Sequence, residues 1–471
     1  MRTLIHNATV VNEGKIFKAS VIISGDVIED IVEGDTSHFP LSSFHSVEAE
    51  GLLLLPGVID THVHFRDGGL ADNPAGNFLT ESRAARAGGV TSVIDMPNTN
   101  PQTVSLEALE AKEARAAAVS AVNYGFMVGA TADNLDWLLS LEPTRYAAIK
   151  LFLGSSTGNM LLNDAEHLDR LFRDAHKLIV AHCEEESVIQ ANLHNLKLEH
   201  QGRPTETAAL HPQVRNNEAC FLSTYHAIER ARRFGTRLHI AHLSTATELS
   251  LLSNFDLEKK NITAEVTPNH LFFDSRDYAE LGNLIKCNPA IKSPDDRLAL
   301  WAALEDGLID TIATDHAPHP LAAKQRPYFD APSGIPSIQH SLQMMLEVVF
   351  GAELPGPEGD IASDRSGANG ERRAENGELG TDLWPLTTIV QKMCHNPARL
   401  FGIEGRGFLR PGYKADMVLV RPGVEQKVTR ESLLYGCGWS PLEGQTFHSR
   451  IERVWVNGKE EGGAVALKFN K

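Results

Sequence analysis

The chain has 471 residues, of which 42% are hydrophobic, together with 37 glycines and 23 prolines. This composition is typical of a globular protein with one large core and a smaller module, and it excludes a chain dominated by disorder. The 44 basic and 61 acidic residues give a formal net charge of −17. Nucleic acids and acidic membrane surfaces need clustered Lys and Arg, so we expect a small molecule as the main partner, and neither nucleic acid nor membrane.

The cysteines and the first residues of the chain indicate where the protein works. The five cysteines form no C-x-x-C pair and are odd in number, so a disulfide framework is not expected. The segment MRTLIHNATVVNEGKIF lacks the apolar stretch and cleavage site of a signal peptide. No stretch approaches the ~20 apolar residues of a membrane span. These features predict a cytoplasmic protein.

The two ends of the chain show the alternation of apolar and polar residues that is typical of short antiparallel β-strands. Residues 1–55 alternate apolar and polar positions, with turn-forming Gly and Asn between the runs. The same pattern returns near the C-terminus, where Asn457-Gly458 is a turn of the type that joins hairpin strands. We expect 1–55 and 401–471 to pair into one small β-sandwich beside a central domain of residues 56–400.

The central domain alternates strand-like apolar runs with stretches of helical composition. FLTESRAARAGG (78–89) and SLEALEAKEARAAAV (105–119) are two of the helical stretches, and the first ends in a Gly-Gly stop. Successive β/α units predict an α/β fold of the (β/α)8 TIM-barrel type, whose catalytic groups lie at the C-terminal ends of the strands. The eight strand-like runs are residues 58–65, 90–97, 123–130, 147–154, 177–183, 237–243, 262–268 and 310–316.

One segment of the last barrel unit breaks this pattern. Residues 351–380 are rich in Gly, Glu, Asp, Arg and Asn, with almost no large apolar residue. This composition favours a mobile surface insertion rather than a further domain. We assign no function to it.

A His-x-His pair, His62 and His64, closes the first apolar run in PGVIDTHVHFRD (56–67). Residues two apart on a strand point to the same face, so both imidazoles can reach one cation at about 2.0–2.1 Å, the usual Zn–N distance. Taken alone, such a pair is equally well explained as two half-buried polar residues. The downstream strand ends favour a metal site.

Four other strand ends carry polar residues: Lys150 after strand four, His182 after strand five, His242 after strand six and Asp315 after strand eight. Singly, the lysine could snorkel to solvent, each histidine could form hydrogen bonds in the barrel mouth, and the aspartate could cap a helix. Together with the His pair, these groups lie at the same end of one barrel. Such a concentration of metal-competent groups predicts a metal centre.

Lys150 needs chemical modification before it can take part in such a centre. A lysine ammonium has only donors and cannot bind a metal, but desolvation beside cations lowers its pKa. The neutral amine could then take up CO2 and give a carbamate that bridges two ions ~3.5–4 Å apart, which would share a hydroxide and polarise an amide carbonyl. One ion would be held by His62, His64 and Asp315, and the other by His182 and His242. The residues predict addition of hydroxide to an acyl carbon.

These motifs resemble the amidohydrolase superfamily, and within it the dihydroorotases of the long bacterial class (class I). The similarity runs over essentially the whole chain except 351–380. The segments that carry it are THVHFRD (61–67), MPNTNPQT (96–103), IKLFLGSSTGNM (149–160), AHCEEES (181–187), EVTPNHL (265–271), CNPAIKSPDDR (287–297), TDHAPH (314–319) and SGIP (333–336).

The resemblance implies roles for individual residues. Arg66, Asn98 and His319 would hold the carboxylate of the substrate, and Asn288 would contact its dihydropyrimidine ring. The metal ligands would be His62, His64, Lys150, His182, His242 and Asp315. The cofactor would be Zn2+, two ions per subunit bridged by carboxylated Lys150.

The activity that the resemblance implies is the reversible cyclisation of N-carbamoyl-L-aspartate to dihydroorotate plus water, in the de novo pyrimidine pathway to UMP. Asp315 would be the catalytic residue, taking a proton from the attacking hydroxide and delivering it to the departing ring nitrogen. In the biosynthetic direction the same steps run backwards. Expected protein partners are a second copy of the chain, as a homodimer, and aspartate carbamoyltransferase.

Arg66 fits this activity on chemical grounds as well. It lies two residues beyond His64, on the same face, where a guanidinium fork suits bidentate capture of a carboxylate. The alternative is a surface salt bridge. After Arg66 the family often has Glu-Pro-Gly, whereas this chain has Asp67-Gly68-Gly69, so the loop departs from the family pattern.

The loop after the fourth strand is a candidate lid over the substrate. Residues 154–159, GSSTGN, combine two glycines with small hydroxyl residues, which permits a loop that folds over a ligand and donates hydrogen bonds to it. We name Thr157 as the contact. A plain connecting loop explains the composition equally well.

Two other functions compete with this interpretation. A hydantoinase, dihydropyrimidinase or allantoinase would use the same metals, but uncharged substrates give no reason for Arg66 and Asn98. An inactive homologue that serves as a scaffold would be expected to lose ligands, and all six are present here.

Overall fold

The computed structural model describes residues 2–34, 41–67, 73–154, 160–199, 207–351 and 384–470. Thr157 and the predicted insertion beyond Gly351 lie outside these ranges. The described strands are β1 (Arg2–Asn12), β2 (Lys15–Ser24), β3 (Val27–Glu33), β4 (His45–Glu48), β5 (Leu53–Pro56), β6 (Val58–Val63), β7 (Val90–Asp95), β8 (Asn123–Phe126), β9 (Val128–Gly129), β10 (Ile149–Phe152), β11 (Ile179–His182), β12 (Leu238–Ile240), β13 (Ile262–Val266), β14 (Thr311–Ile312), β15 (Met417–Lys427) and β16 (Thr446–Trp455).

Helices connect and cover the central strands. The described α-helices are Phe78–Ala87, Leu106–Val119, Leu135–Ser140, Ala165–Asp174, Glu186–Glu199, His211–Val214, Asn217–Phe234, Pro268–Phe272, Tyr278–Leu281, Pro294–Glu305, Leu321–Lys324, Ser341–Phe350, Trp384–Val390 and Asn396–Leu400.

The two ends of the chain form one seven-stranded sheet in the order β16-β15-β5-β1-β2-β3, with β4 paired to β1. The pairs β1–β2, β2–β3, β5–β15 and β15–β16 are antiparallel. The expectation of antiparallel strands is wrong for the pairings of β4 and β5 with β1, which are parallel. Alternation of apolar residues does not encode strand direction, so this difference could not be read from the sequence.

Every strand of this sheet contributes to one compact apolar cluster. The cluster includes Val10 of β1, Val21 of β2, Leu54 of β5, Met417 of β15 and Trp455 of β16, each at most 2% exposed. The sheet therefore encloses its own core. Its form as a two-layer sandwich, and the domain boundaries, stay predictions.

The central strands are parallel. β6, β7 and β8 form a three-stranded sheet, and β9 to β14 follow one another in chain order in a six-stranded sheet. β8 and β9 are separated by Met127 alone, and Val63 of β6 forms a parallel bridge with His316, just beyond β14. All eight predicted strands are confirmed, each shorter than its apolar run. The fold is mixed α/β, with the C-terminal ends of neighbouring strands at one edge.

The two predicted helices are confirmed, with caps that explain their limits. Asn77 accepts hydrogen bonds from the backbone N–H groups of Leu79 and Thr80 and so starts the helix Phe78–Ala87. The helix ends at Gly88, and Gly89 has φ of +86°, a conformation that suits glycine. Ser105 caps the helix Leu106–Val119 in the same way.

Buried Asp416 joins the terminal sheet to the central strands. Its Oδ2 accepts hydrogen bonds from Arg406, which is 4% exposed, and from Asn123 Nδ2 at 3.1 Å. Its Oδ1 accepts from the backbone N–H of Asn457 at 2.7 Å. Asn457 and Gly458, with φ of 49° and 74°, form the predicted tight turn after β16. One carboxylate therefore links three distant parts of the chain.

Within the described ranges, no helix combines the length and the apolar character needed to cross a membrane. All five cysteines are described, and each is a free thiol.

Candidate active site

The residues predicted as metal ligands lie at or near the C-terminal ends of the central strands. His62 is in β6 with His64 just beyond it, Lys150 is in β10, His182 ends β11, His242 follows β12 and Asp315 follows β14. The four histidines and Lys150 are buried, and the Asp315 side chain is 16% exposed. The structure brings them to the same edge of the parallel sheets.

Asp315 is the carboxylate around which the first histidines converge. Its Oδ1 lies 2.9 Å from His64 Nε2 and 3.3 Å from His62 Nε2. His62, His242 and Asp315 each present one potential ligand atom, and these atoms all lie within 4.8 Å of one another. Two imidazole nitrogens and a carboxylate oxygen at this spacing suit a divalent cation such as zinc.

His182 and His242 meet across neighbouring strand ends. Nδ1 of His182 lies 2.9 Å from Nε2 of His242, and their ring centroids are 4.6 Å apart. The His242 ring is also 5.4 Å from that of His62. The four imidazoles therefore form one continuous cluster that includes Asp315.

Three of the four histidines have their second ring nitrogen fixed by a buried polar group. His62 Nδ1 contacts Glu265 Oε1, His64 Nδ1 contacts Asn98 Oδ1 at 2.7 Å, and His182 Nε2 contacts Glu184 Oε2 at 2.9 Å. Such contacts set the tautomer and direct the other nitrogen at a metal. In these three histidines, the ring nitrogen that faces away from the cluster is held by a buried oxygen, and the other ring nitrogen faces into the cluster.

Burial keeps the imidazoles in the form that binds metals. Burial lowers the pKa of His64 to about 3 and also lowers the pKa values of His182 and His242. Burial by itself would raise the pKa of the Asp315 carboxyl, but the surrounding His62, His64 and His242 hold that pKa well below its ordinary value. Neutral imidazoles and an ionised carboxylate are the states that a metal ion requires.

Lys150 is fully buried, and its Nζ has no hydrogen-bond partner among the described residues. Burial lowers the pKa of this lysine to about 8, although Glu265 and Asp315 oppose the shift. The charge of Lys150 in turn contributes to lowering the pKa values of His182 and His242. A buried amine without a partner, beside a cluster of metal ligands, fits modification to a carbamate that would bind metal.

The nitrogen and oxygen atoms of this cluster therefore fit a metal centre. Nδ1 of His242 is also buried and has no partner among the described residues, in contrast to the second nitrogens of the other three histidines. Imidazole nitrogens with a carboxylate oxygen are the ligand types that zinc prefers.

The backbone at three of these strand ends is in the left-handed region. His242, Asp315 and Arg66 have φ of 39°, 49° and 58°. Residues other than glycine rarely adopt this conformation, and it concentrates at functional sites. The sharp turn after each strand places its side chain at the edge where the strand ends meet.

Two buried glutamates were missed from the sequence. Glu265, in β13, contacts His62 Nδ1 through Oε1 and His239 Nε2 through Oε2 at 3.3 Å, and its Oε1 accepts from the backbone N–H of His242. Glu184 accepts from both His182 and Arg215. Each glutamate is acidic within or just after a predicted barrel strand, and that same signal identified Asp315.

Arg66 and His319 lie together, as the resemblance implies. Arg66 Nη2 is 3.3 Å from His319 Nε2, and Arg66 Nε donates to the carbonyl of Pro318 at 3.4 Å. Burial lowers the pKa of Arg66 only to about 10, so the guanidinium stays charged at neutral pH. The pair could receive an anionic group beside Asp315.

Asn98 contacts one of the predicted metal ligands. Its Oδ1 lies 2.7 Å from His64 Nδ1, so the amide holds the orientation of this histidine. A contact between Asn98 and the substrate stays a prediction.

Asn288 lines a cavity of about 190 Å3. Lys286, Arg215 and Ser333 also line this cavity, and Asn288 Oδ1 lies 3.1 Å from His211 Nε2. The contact of Asn288 with the substrate ring stays a prediction. Thr157, the predicted lid contact, lies outside the described residues.

The profile of the amidohydrolase family matches residues 53–460. This match covers all of the central strands, with their strand-end cluster of histidines and Asp315, and three of the seven strands of the terminal sheet, β5, β15 and β16. The protein belongs to the amidohydrolase family, and family membership identifies it as a hydrolase.

Individual relatives share most of their length with the chain. It is 33% identical over 392 residues to the dihydroorotase of Halobacterium salinarum, covering 83% of this chain and 82% of that protein. It is 26% identical over 481 residues to the allantoinase of Escherichia coli (strain SE11), covering 99% and 97%. Its fold matches the L-hydantoinase (dihydropyrimidinase) of Arthrobacter aurescens with a TM-score of 0.84, at 24% identity and 99% coverage of both chains. The names of these relatives give different activities on cyclic amides.

Proposed function

We propose that the protein is a zinc-dependent dihydroorotase of the long class, which interconverts N-carbamoyl-L-aspartate and dihydroorotate plus water in pyrimidine biosynthesis. The observation that carries the proposal is the contact of Arg66 with His319 near Asp315, because a charged guanidinium beside the cluster of predicted ligands suits an anionic substrate group. Similarity to the Halobacterium salinarum dihydroorotase supports it.

The fold proposed for this function is a closed (β/α)8 barrel over residues 56–400, with a β-sandwich formed by 1–55 and 401–471. The order of the parallel strands and the Val63–His316 bridge between the first and last of them support the barrel.

Two zinc ions per subunit would be held by the strand-end ligands, with Lys150 carboxylated between them. Bound zinc would polarise the amide carbonyl and make a water molecule nucleophilic at neutral pH. The histidines would bind it through the nitrogens left after Glu265, Asn98 and Glu184 have fixed the others.

Arg66, with His319 against it, would bind the substrate carboxylate and so place the ring amide against Asp315. The guanidinium fork donates two hydrogen bonds to the two carboxylate oxygens in one plane, which fixes orientation as well as position. Loss of this contact would weaken substrate binding without disturbing the metal ligands.

Asp315 would move the proton. Its carboxylate is ionised at rest and lies among His62, His64 and His242. It would accept a proton from the attacking water as the new C–O bond forms, and donate it to the ring nitrogen as the C–N bond breaks. In cyclisation the ureido nitrogen would give this proton back, and water would leave.

The experiment compares Arg66→Ala with Arg145→Ala, which removes a surface arginine paired with Glu113. Arg66→Ala should raise KM for carbamoyl-aspartate and dihydroorotate about 10- to 100-fold while leaving the metal content unchanged. Arg145→Ala should change neither. An unchanged KM in Arg66→Ala would overturn the substrate assignment.

The second candidate is another cyclic-amide hydrolase, favoured by the similarity to an allantoinase over 99% of the chain. Steady-state assays of the wild type with allantoin, hydantoin and dihydrouracil, beside the two carboxylated compounds, distinguish the candidates. A preference for an uncharged ring would support this second function. No turnover of any of them would support an inactive scaffold.

A further inference from the structure

We propose that Lys324 is a positioning residue for the substrate carboxylate, because it fixes the backbone segment 332–334 against His319 and thereby sets the contact between His319 and Arg66. The inference rests on the proposed function, in which Arg66 binds that carboxylate and His319 lies against the guanidinium.

Lys324 ends the short helix Leu321–Lys324 and is only 1% exposed. Its Nζ donates to the backbone carbonyls of Lys286 at 3.0 Å, Pro332 at 3.0 Å and Gly334 at 2.8 Å. Three bonds use all the protons of an ammonium group. A buried charge is tolerated only when its hydrogen bonds are complete, so these bonds hold the segment in one conformation.

Lys286 holds the first part of the loop that leads to this segment. Its Nζ donates to the carbonyls of Tyr328 at 2.7 Å and Ala331 at 2.6 Å. Its own carbonyl accepts from the backbone N–H of Gly334 at 2.8 Å as well as from Lys324. The two lysines thus hold the loop from Tyr328 to Gly334 along its whole length.

The segment that Lys324 holds lies directly against His319. The carbonyl of Ser333 is 2.9 Å from His319 Nε2. Gly334 has φ of +142°, and a Cβ atom built on it would lie 2.3 Å from the carbonyl oxygen of Ala317 and 2.9 Å from His319 Cδ2. This packing leaves no room for the segment to shift without moving the histidine.

The Ser333 carbonyl determines whether His319 can accept a hydrogen bond from Arg66. A carbonyl only accepts, so His319 Nε2 carries the proton and donates it to Ser333. The same nitrogen cannot then accept from Arg66 Nη2, 3.3 Å away, and that contact gives the guanidinium no hydrogen bond. The Nη2 protons are directed to a different acceptor, which a substrate carboxylate would supply. If the Ser333 carbonyl moved, His319 could change tautomer, and its Nε2 could then accept a hydrogen bond from Arg66 Nη2.

The charges around this segment also favour an anion. Burial, together with the nearby Lys286 and Arg66, lowers the pKa of Lys324 to about 7, whereas Cys287 opposes the shift. Mutual repulsion among the cations would be relieved by a bound carboxylate.

The test compares Lys324→Met with Lys392→Met in the zinc-loaded full chain. Lys392 is another buried lysine, 4% exposed, whose Nζ donates to the carbonyl of Ile309. We expect Lys324→Met to raise KM for carbamoyl-aspartate and dihydroorotate on the order of tenfold, with kcat and zinc content near wild type. Lys392→Met should leave KM unchanged, so a general loss of stability is separated from positioning.

A double-mutant cycle with His319→Ala shows whether Lys324 acts through the histidine. The effect of Lys324→Met on KM should disappear in the His319→Ala background, and a full effect in that background would overturn the inference. If Lys324→Met does not fold, Gly334→Ala should raise KM by displacing His319, and an unchanged KM would again overturn it. Wild-type protein inert toward both carboxylated substrates would overturn the proposed function, whereas an active wild type with an unaffected Lys324→Met would overturn only this inference.

Discussion

Individual side chains at the candidate site are buried and are held in one orientation. His62, His64 and His182 each have one ring nitrogen held by a buried oxygen, which leaves the other to face the centre. The predicted ligand types could be read from the sequence because the C-terminal ends of neighbouring parallel strands lie at one edge. Asn98, Glu184 and Glu265 also stand in or near strand ends of the sequence, but their contacts with the histidines arise only through tertiary packing.

Lys150→Ala should remove the bridging group that we propose, and with it most of the bound metal. The buried amine has no partner among the described residues, so its loss costs the fold little beyond the volume of the side chain. We expect zinc content to fall by at least about half and activity to drop on the order of a hundredfold, as measured by elemental analysis and steady-state kinetics. A short carboxylic acid added with zinc should restore part of the activity. Full activity without it would show that Lys150 does not bridge the ions.

Glu265→Gln should weaken zinc binding about 10- to 100-fold, because an amide can donate a proton where His62 must donate. Competition with a chelating dye measures the zinc Kd. The matched control is Glu248→Gln, which alters a carboxylate that is 2% exposed and bonded to Thr224 and Thr245. Equal zinc affinities in the two variants would show that Glu265 does not orient His62.

Strands and helices were the most predictable level of the molecule. Runs of apolar residues bounded by Gly and polar residues gave all eight central strands, because parallel strands are buried on both faces. The same runs overestimated strand lengths, since residues such as His64 and His242 continue the pattern after the chain has turned away. The turns at positive φ depend on contacts between neighbouring strand ends, and no local pattern marks them.

Close packing between strand ends gives a prediction at this level. Gly154 follows β10, and a Cβ atom there would lie 2.5 Å from the Glu184 carbonyl oxygen and 3.0 Å from Glu184 Cβ. Gly154→Ala should therefore displace Glu184, misalign His182 and lower zinc affinity on the order of tenfold, as measured by calorimetric titration. Gly235→Ala provides the control, since Gly235 has φ of +72° and open space around it. It should cost about 1 kcal/mol of stability without changing zinc affinity.

At the scale of the whole molecule, the buried hydrogen bonds of Asp416 link the terminal sheet to the central strands. Asp416→Ala would leave Arg406 buried without its carboxylate, which costs about 3–5 kcal/mol. We expect a clear drop in the urea midpoint of unfolding. Lys18→Ala breaks an exposed pair with Glu50, whose side chains are 52% and 67% exposed, and should cost less than about 1 kcal/mol. Equal midpoints in the two variants would show that the buried hydrogen bonds of Asp416 contribute nothing to stability.

The pairing of β5 with β15 unites segments from opposite ends of the sequence. During synthesis, β5 leaves the ribosome long before β15 exists, so one of its edges stays unpaired until almost the entire chain has been made. An open strand edge invites pairing with other chains, which makes this period the most exposed to aggregation. Nascent chains arrested before β15 should therefore depend on chaperones in a way that the finished protein does not.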